Sequence, residues 1–319
     1  MGRSIYDMKH KLKTSIILSA LAVLILHIVN CCVKAAATVK NLLSRDRGSF
    51  FHWRFGNIYY TKTGEGTPLL LIHDLSPYSS AYEWTEMIGK LSKDHTVYTL
   101  DLLGCGRSDK PNLTYTNFLY VQLVSDFVKQ VIGQKTDVAA TGLSSSFILM
   151  ACHNDPELFH KILMINPMSP RKLTSIPGKR SKIIKFLMEL PVIGTTVYHM
   201  NTNQSNVEYL FTEKYLYNPF RLKQKYVHVY HESAHQGDGG GKYLMASLSG
   251  FYVNVNITHA LSDINTSLFL IAGDKCEDSR DIIQEYTKIN PAIESVLIED
   301  TKLLPQLESP DVLYAHMKV

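Results

Sequence analysis

The chain has 319 residues, of which 45% are hydrophobic and 19% charged, and its formal net charge is +4. This length allows one domain with a large core plus additional segments. The mild charge, with no dense Lys/Arg stripe among aromatic residues, argues against a nucleic-acid-binding protein.

An apolar run opens the chain. Residues 15–33 are uncharged and mostly apolar, and about 20 such residues span a bilayer as a helix. We predict a transmembrane helix over residues 14–33, between a basic flank (1–13) and a linker (34–50). Lysine and arginine are nearly balanced across this span, so the positive-inside rule predicts no orientation.

Two other interpretations of this run remain open. A cleaved signal peptide has a shorter apolar core and a small-residue cleavage site, for which Ala35-Ala36-Ala37 is a poor match. A lipoprotein signal is disfavoured because Asn30, which precedes Cys31, is not a small residue. A retained membrane anchor is the favoured interpretation.

After the linker, short apolar segments alternate with helical ones. Continuous apolar runs are typical of strands buried on both faces, and alternation with helices predicts a parallel sheet. Helical periodicity covers residues 115–132. The predicted strands outside the turn described next are 53–62, 68–72, 96–100, 161–167, 267–273 and 294–298.

Residues 138–146 (Val-Ala-Ala-Thr-Gly-Leu-Ser-Ser-Ser) predict a strand, a sharp turn and the start of a helix. Ser144 follows Gly142 as in Gly-x-Ser-x-Gly, the pattern of a strained turn that exposes a serine nucleophile above a sheet. Ser146 replaces the second glycine. We expect Ser144 at the tip of the turn.

The segment between the strands at Ile165 and Phe269 is too long for one crossover helix. It has helical patterns over residues 180–190, 206–216, 220–234 and 241–252. We therefore predict an inserted helical lid over about residues 168–255.

Three motifs, in order along the chain, resemble those of the α/β-hydrolase fold superfamily. They are Pro68-Leu-Leu-Leu-Ile-His-Asp-Leu75, Asp101-Leu-Leu-Gly-Cys-Gly-Arg-Ser-Asp-Lys-Pro111 and Pro305-Gln-Leu-Glu-Ser-Pro310. The resemblance implies one α/β-hydrolase domain over residues 51–319, a mostly parallel sheet with helices on both faces and a lid. A lidded, membrane-anchored chain of this kind is similar to a bacterial group that lacks the usual catalytic histidine.

The resemblance also implies a site. Ser144 would be the nucleophile, and the backbone N–H groups of Leu75 and Ser145 would bind the oxyanion. The implied substrate is a small apolar or ester compound, and no cofactor or metal is predicted.

The partners of the serine are missing. The family's histidine position is Leu303, its acid position is Cys276, and Asp74 replaces a glycine beside His73. A carboxylate at that position would oppose an oxyanion if it faced the site. The usual Ser-His-Asp mechanism requires all three side chains.

Other groups are weak substitutes for the missing base. His73 has a structural role in the family. For Lys302, the interpretation as an ordinary solvated lysine is favoured over a role as the base. His231 and His235 are four residues apart, the spacing with which two histidines on one helix face bind a metal, and Glu232 is adjacent. Without a third ligand, the favoured interpretation is that these residues form a polar face of a lid helix. Five cysteines without metal-like spacing predict neither a disulfide framework nor a zinc site.

Two hypotheses follow. The first is a membrane-anchored serine hydrolase of esterase or lipase type that uses Ser144 with an unconventional base. The second is a catalytically inactive protein of the same fold that binds a small apolar ligand or a protein partner. The basic and apolar faces of residues 179–190 fit a lid helix or a contact with anionic lipid.

Overall fold

The computed structural model describes residues 2–44, 47–237 and 239–317. Eight strands form one sheet in the order β1-β2-β4-β3-β5-β6-β7-β8. The contacts β1–β2 and β2–β4 are antiparallel, and all others are parallel. The strands are β1 Ser49–Trp53, β2 Gly56–Thr63, β3 Thr67–Ile72, β4 His95–Leu100, β5 Thr136–Thr141, β6 Phe159–Ile165, β7 Ser267–Gly273 and β8 Glu294–Ile298. The predicted fold is confirmed.

The helices cover both faces of this sheet and form the lid. They are α1 Gly2–Thr38, α2 Thr85–Leu91, α3 Asn117–Phe127, α4 Ser144–Asn154, α5 Pro170–Leu173, α6 Lys179–Glu189, α7 Ile193–Asn201, α8 Gln204–Tyr209, α9 Gln224–His235, α10 Gly241–Ser249, α11 Thr258–Asp263, α12 Ser279–Ile289, α13 Pro305–Glu308 and α14 Pro310–Met317. Shorter helical turns cover Ala81–Trp84, Val128–Ile132, Leu210–Tyr215 and Pro219–Arg221.

The apolar run of β3 is buried on both faces because successive side chains point to opposite sides of a strand. Leu70 and Ile72 pack into the core that contains α3 and α4. Leu69 and Leu71 pack into the opposite core, beneath α2 and α14. This double burial explains why the strand is continuously apolar instead of alternating.

The lid consists of helices between β6 and β7, and it differs from the sequence prediction in several features. Helices α5, α7 and α11 were not predicted. Helix α9 begins at Gln224 instead of residue 220, because Pro219 starts a separate turn in which the Asn218 side chain accepts a hydrogen bond from Phe220 N–H.

Helix α1 is long and apolar enough to cross a membrane between His10 and Thr38. It continues five residues beyond the predicted end at Val33. The Asn30 side chain donates hydrogen bonds to the carbonyl of Val192 and the hydroxyl of Thr196, both 3.1 Å away. Helix α1 is thus joined to the start of α7 in the lid.

Candidate active site

The turn between β5 and α4 has its strained residue at Gly142. Gly142 has φ +57°, in the left-handed region that favours glycine, whereas α4 already begins at Ser144. We expected the strained turn to expose Ser144 at its tip. That placement is wrong: the tip is two residues earlier, and it carries no side chain.

Ser144 is fully buried, and its hydroxyl donates a hydrogen bond to the carbonyl of His73 at 2.6 Å. The neighbouring hydroxyls are also bound to backbone carbonyls. Ser145 donates to Ala140 and Ser146 to Leu143. These serines therefore secure the first turn of α4 to the surrounding backbone, which is a structural use of a hydroxyl.

Two backbone N–H groups converge on one atom above the turn. Leu75 N–H donates to Asp74 Oδ1 at 2.8 Å, and Leu143 N–H donates to the same oxygen at 2.9 Å. One donor comes from the loop after β3 and one from the residue after the strained position, the two places from which the family pattern takes its oxyanion-hole donors. The expected second donor, Ser145, instead donates to the carbonyl of Gly142, because the strained residue is Gly142 and not Ser144.

Asp74 fits this position only because residue 142 is a glycine. A Cβ atom built on Gly142 would lie 2.2 Å from Asp74 Oδ1, far inside van der Waals contact. The carboxylate thus occupies the space that a nucleophile's side chain would need. Asp74 is half-buried, and Oδ2 has no hydrogen-bond partner among the described residues.

A second carboxyl group, Glu83, lies behind Asp74 and is fully buried. It accepts hydrogen bonds from Asp74 N–H at 3.2 Å and from Gln306 Nε2 at 2.7 Å. Burial, reinforced by the charge of Asp74, raises the pKa of Glu83 to about 8. Burial also raises the pKa of Asp74, against the effect of its two N–H donors. At neutral pH Glu83 is therefore mostly protonated.

His73 is fully engaged as a structural residue. Its Nδ1–H donates to the carbonyl of Asp74 at 2.7 Å, and its Nε2 accepts from Leu102 N–H at 3.0 Å. Burial lowers the pKa of His73 to about 4. Both ring nitrogens are used, so His73 cannot take a proton from Ser144.

Asn166, which sequence reasoning missed, organises the positions where the family has its acid and histidine. Its amide donates to the carbonyls of Lys302 and Leu303, each 3.0 Å away, and its Oδ1 accepts from Gly273 N–H. Burial raises the pKa of Cys276, at the acid position, to about 11. The only sequence signal for Asn166 was a polar residue directly after an apolar strand.

The other proposed bases bind elsewhere. Lys302 Nζ donates to the carbonyl of Glu213 at 2.6 Å. His235 Nδ1 donates to the carbonyl of His231 at 2.8 Å, and Glu232 accepts hydrogen bonds from the chain after α1. Among the described residues, no imidazole or amine forms a hydrogen bond with the Ser144 hydroxyl.

Comparisons with known proteins agree with this fold. The family model "Alpha/beta hydrolase family" matches residues 69–316. A serine hydrolase of carbazole degradation has a TM-score of 0.69 at 14% identity, covering 85% of this chain and 96% of its own. A membrane phospholipase A described as a bacterial virulence factor has a TM-score of 0.66 at 18% identity, covering 97% of each chain.

Similarity in sequence is more local. A 2-hydroxy-6-oxo-6-(2'-aminophenyl)hexa-2,4-dienoic acid hydrolase from Metapseudomonas resinovorans is 30% identical over 98 residues, which is 28% of this chain and 33% of that protein. The chain thus spans about a third of the length of the curated relatives it matches. The extent of the family match and the agreement in fold lead to one assignment: the chain belongs to the alpha/beta hydrolase family.

Proposed function

We propose that this chain is a membrane-anchored, lidded member of its family that binds a small apolar ligand and does not use the serine mechanism. One observation supports this most strongly: Asp74 Oδ1 accepts both N–H groups of the oxyanion hole. An acyl-transfer reaction needs those donors for the charge that develops in its transition state. A fixed carboxylate there takes the donors and repels that charge.

The nucleophile is also absent from its position. Gly142 offers no hydroxyl, and the Ser144 hydroxyl is buried and donates to a carbonyl instead of to a base. When triad residues are removed from a serine hydrolase, the remaining catalysis comes from the oxyanion hole and binding. Here the oxyanion hole is filled as well.

The free oxygen of Asp74 indicates the chemistry of the ligand. Asp74 Oδ2 is an acceptor that lacks a partner among the described residues, and such an acceptor gains from a hydrogen-bond donor. A ligand with one hydroxyl group and an apolar tail would satisfy this oxygen and could pack its tail against the lid. A neutral single-chain lipid such as a monoacylglycerol has both features.

A second candidate function is hydrolysis through Asp74 itself. The two N–H donors hold Oδ1, as they would hold a carbonyl oxygen, and leave Oδ2 free to attack. Attack on an electrophilic carbon would form an ester with Asp74 while the leaving group takes the bonding electron pair. Water would then cleave the ester, releasing the product alcohol and restoring the carboxylate.

Membrane attachment is supported by the length of α1 before it meets the lid. Asn30 contacts α7, which leaves the uncharged residues 14–29 of α1 free of that contact. That segment is about 24 Å long, and the flanking residues of α1 extend it towards the roughly 30 Å thickness of a bilayer's hydrocarbon core. We expect the full chain to stay in the membrane fraction after an alkaline carbonate wash. Release into the wash would contradict a spanning helix.

The serine mechanism is tested with a fluorophosphonate probe on the full chain in detergent micelles. We expect no labelling of the wild-type chain, and a monoacylglycerol should bind to it more tightly than to Asp74→Leu. Labelling of the wild type that disappears in Ser144→Ala would overturn the proposal and identify a serine hydrolase.

The Asp74 mechanism has its own readout. Turnover of an epoxide in H₂¹⁸O would place ¹⁸O in the Asp74 carboxyl group, detected by peptide mass spectrometry. Incorporation in the wild type but not in Asp74→Asn would favour the second candidate over binding alone.

A further inference from the structure

Three side chains from two helices meet at the far end of α4, away from the elbow. His153 lies in the last turn of α4, and His259 and Asp263 lie on α11. The two helices pack against each other. One possible ligand atom from each residue, an imidazole nitrogen or a carboxylate oxygen, lies within 4.8 Å of those of the other two.

The geometry points to a Zn²⁺ site formed by His153, His259 and Asp263. Zinc takes imidazole nitrogen and carboxylate oxygen at about 2.0–2.2 Å, and sites with three protein ligands keep a fourth position for water. Two nitrogens and one oxygen form such a set. The sequence did not predict this site, because His153 is far along the chain from the other two residues.

The two ligands on α11 are already placed for one ion. Their spacing of four residues puts them on one face of the helix. His259 Nδ1 lies 2.9 Å from Asp263 Oδ2, and two ligands of a tetrahedral zinc ion lie about 3.3 Å apart. The pair therefore needs to open by only a few tenths of an ångström to admit the ion.

The third ligand distinguishes this cluster from an ordinary helix ion pair. An exposed His–Asp pair four residues apart needs no metal and contributes little to stability. Here, however, the His153 ring packs edge-on against that of His259, with the ring centroids 5.7 Å apart. Because His153 comes from a second helix, three side chains could bind one ion from different directions.

The surroundings leave room for the water ligand and add little opposing charge. His153 and Asp263 line a cleft of about 350 Å³. Lys135 also lines it, but its ammonium group lies 3.6 Å from Glu157 Oε2, which offsets its charge. A bound ion would join α4, which begins at the elbow, to α11, the last helix before β7.

The test is calorimetric titration of the full chain, in detergent, with zinc chloride, together with thermal unfolding. We expect one zinc ion per wild-type chain at micromolar Kd and a Tm that rises with zinc concentration, since a ligand of the native state stabilises it. His259→Gln and Asp263→Asn should each weaken binding at least about tenfold, because losing even a residue that only orients a ligand typically lowers metal affinity about 10–100-fold.

His160→Gln is the matched control, because His160 is an exposed histidine that lines the same cleft outside the cluster. It should leave zinc affinity unchanged. All variants should have the wild-type Tm in EDTA, which shows that the fold is intact. The inference is overturned if the wild type shows no saturable binding, or if the two ligand variants bind zinc as the wild type does.

Discussion

At the scale of single residues, the site depends on the pairing of Asp74 with Gly142. The glycine provides a left-handed turn and an absent side chain, and the aspartate uses the space and the two N–H donors. Each residue requires the other: a side chain at position 142 would collide with the carboxylate. The aspartate at position 74 and the glycine at position 142, which both differ from a serine hydrolase, therefore depend on each other.

We predict that Gly142→Ala is costly only while Asp74 is present. A left-handed alanine costs about 1–2 kcal/mol, and the collision with Asp74 adds about 1–3 kcal/mol of overpacking. In an Asp74→Gly background the cost of the collision should disappear. The free energies of unfolding of the two single variants and the double variant, measured in urea, should then give a coupling energy of about 1–3 kcal/mol between the two positions.

Gly133→Ala is the control for this cycle, because Gly133 has φ +75° and nothing lies within 4 Å of an added Cβ. It should show the backbone cost alone and no coupling to Asp74. Equal costs of Gly142→Ala in both backgrounds would contradict the pairing.

At the scale of elements, the lid binds the segment of chain that follows α1. Glu232 on α9 is fully buried. Its two carboxylate oxygens accept hydrogen bonds from Leu42 N–H at 2.8 Å and Leu43 N–H at 2.9 Å. Together with the hydrogen bonds of Asn30 on α1, this contact joins the lid to α1 and to the chain that follows it. Glu232 thus acts as a positioning residue between two elements.

We predict that Glu232→Ala lowers the free energy of unfolding by about 2–4 kcal/mol. Hydrogen bonds to charged groups contribute about 1.5–3 kcal/mol each, and two N–H groups would lose their partner. Limited proteolysis should also cut faster between residues 39 and 48. Glu277→Ala, at an exposed position, should change neither measurement. A Glu232→Ala chain as stable as that control would show that the contact does not hold the segment.

At the scale of the whole molecule, buried ionisable groups set the pH of maximum stability. His73, His199 and His231 each have a pKa lowered to about 4, mainly by burial. Because the folded chain keeps these imidazoles neutral, their contribution is lost as pH falls from about 6.5 towards 4. Glu83 acts in the opposite direction, since its pKa is raised to about 8. The folded chain keeps Glu83 protonated, so stability falls as pH rises from about 4.5 to 8.

These opposing slopes predict a stability maximum near pH 6.5. Between that pH and 8, Glu83 alone should reduce the free energy of unfolding by roughly 2 kcal/mol, at about 1.4 kcal/mol per pH unit. Urea unfolding across pH 5–9 measures this profile. Glu83→Gln should remove the loss above pH 6.5 and leave the loss on the acid side. A variant that retains the alkaline slope would show that another group is responsible.

The sequence by itself determined the fold and the absence of the usual base. Strands buried on both faces must be continuously apolar, and turn motifs are local, so both are visible in a short stretch of chain. Leu303 and Cys276 cannot act as a histidine and a carboxylate, whatever surrounds them. The length of the apolar segment in α1 is likewise a property of one continuous stretch of sequence.

Only the tertiary structure decided how the site is filled. The strained residue could be Gly142 or Ser144 by pattern, and the choice depends on the register of β5 against β3 and on where α4 begins. The role of Asp74 depends on the loop after β3 lying beside Gly142, which follows β5. The role of Asn166, which follows β6, depends on the end of β7 lying beside it. Contacts between segments that are distant along the chain leave no periodic signal in the sequence. The hydrogen bonds from Leu75 and Leu143 to Asp74 could therefore be identified only in the folded chain.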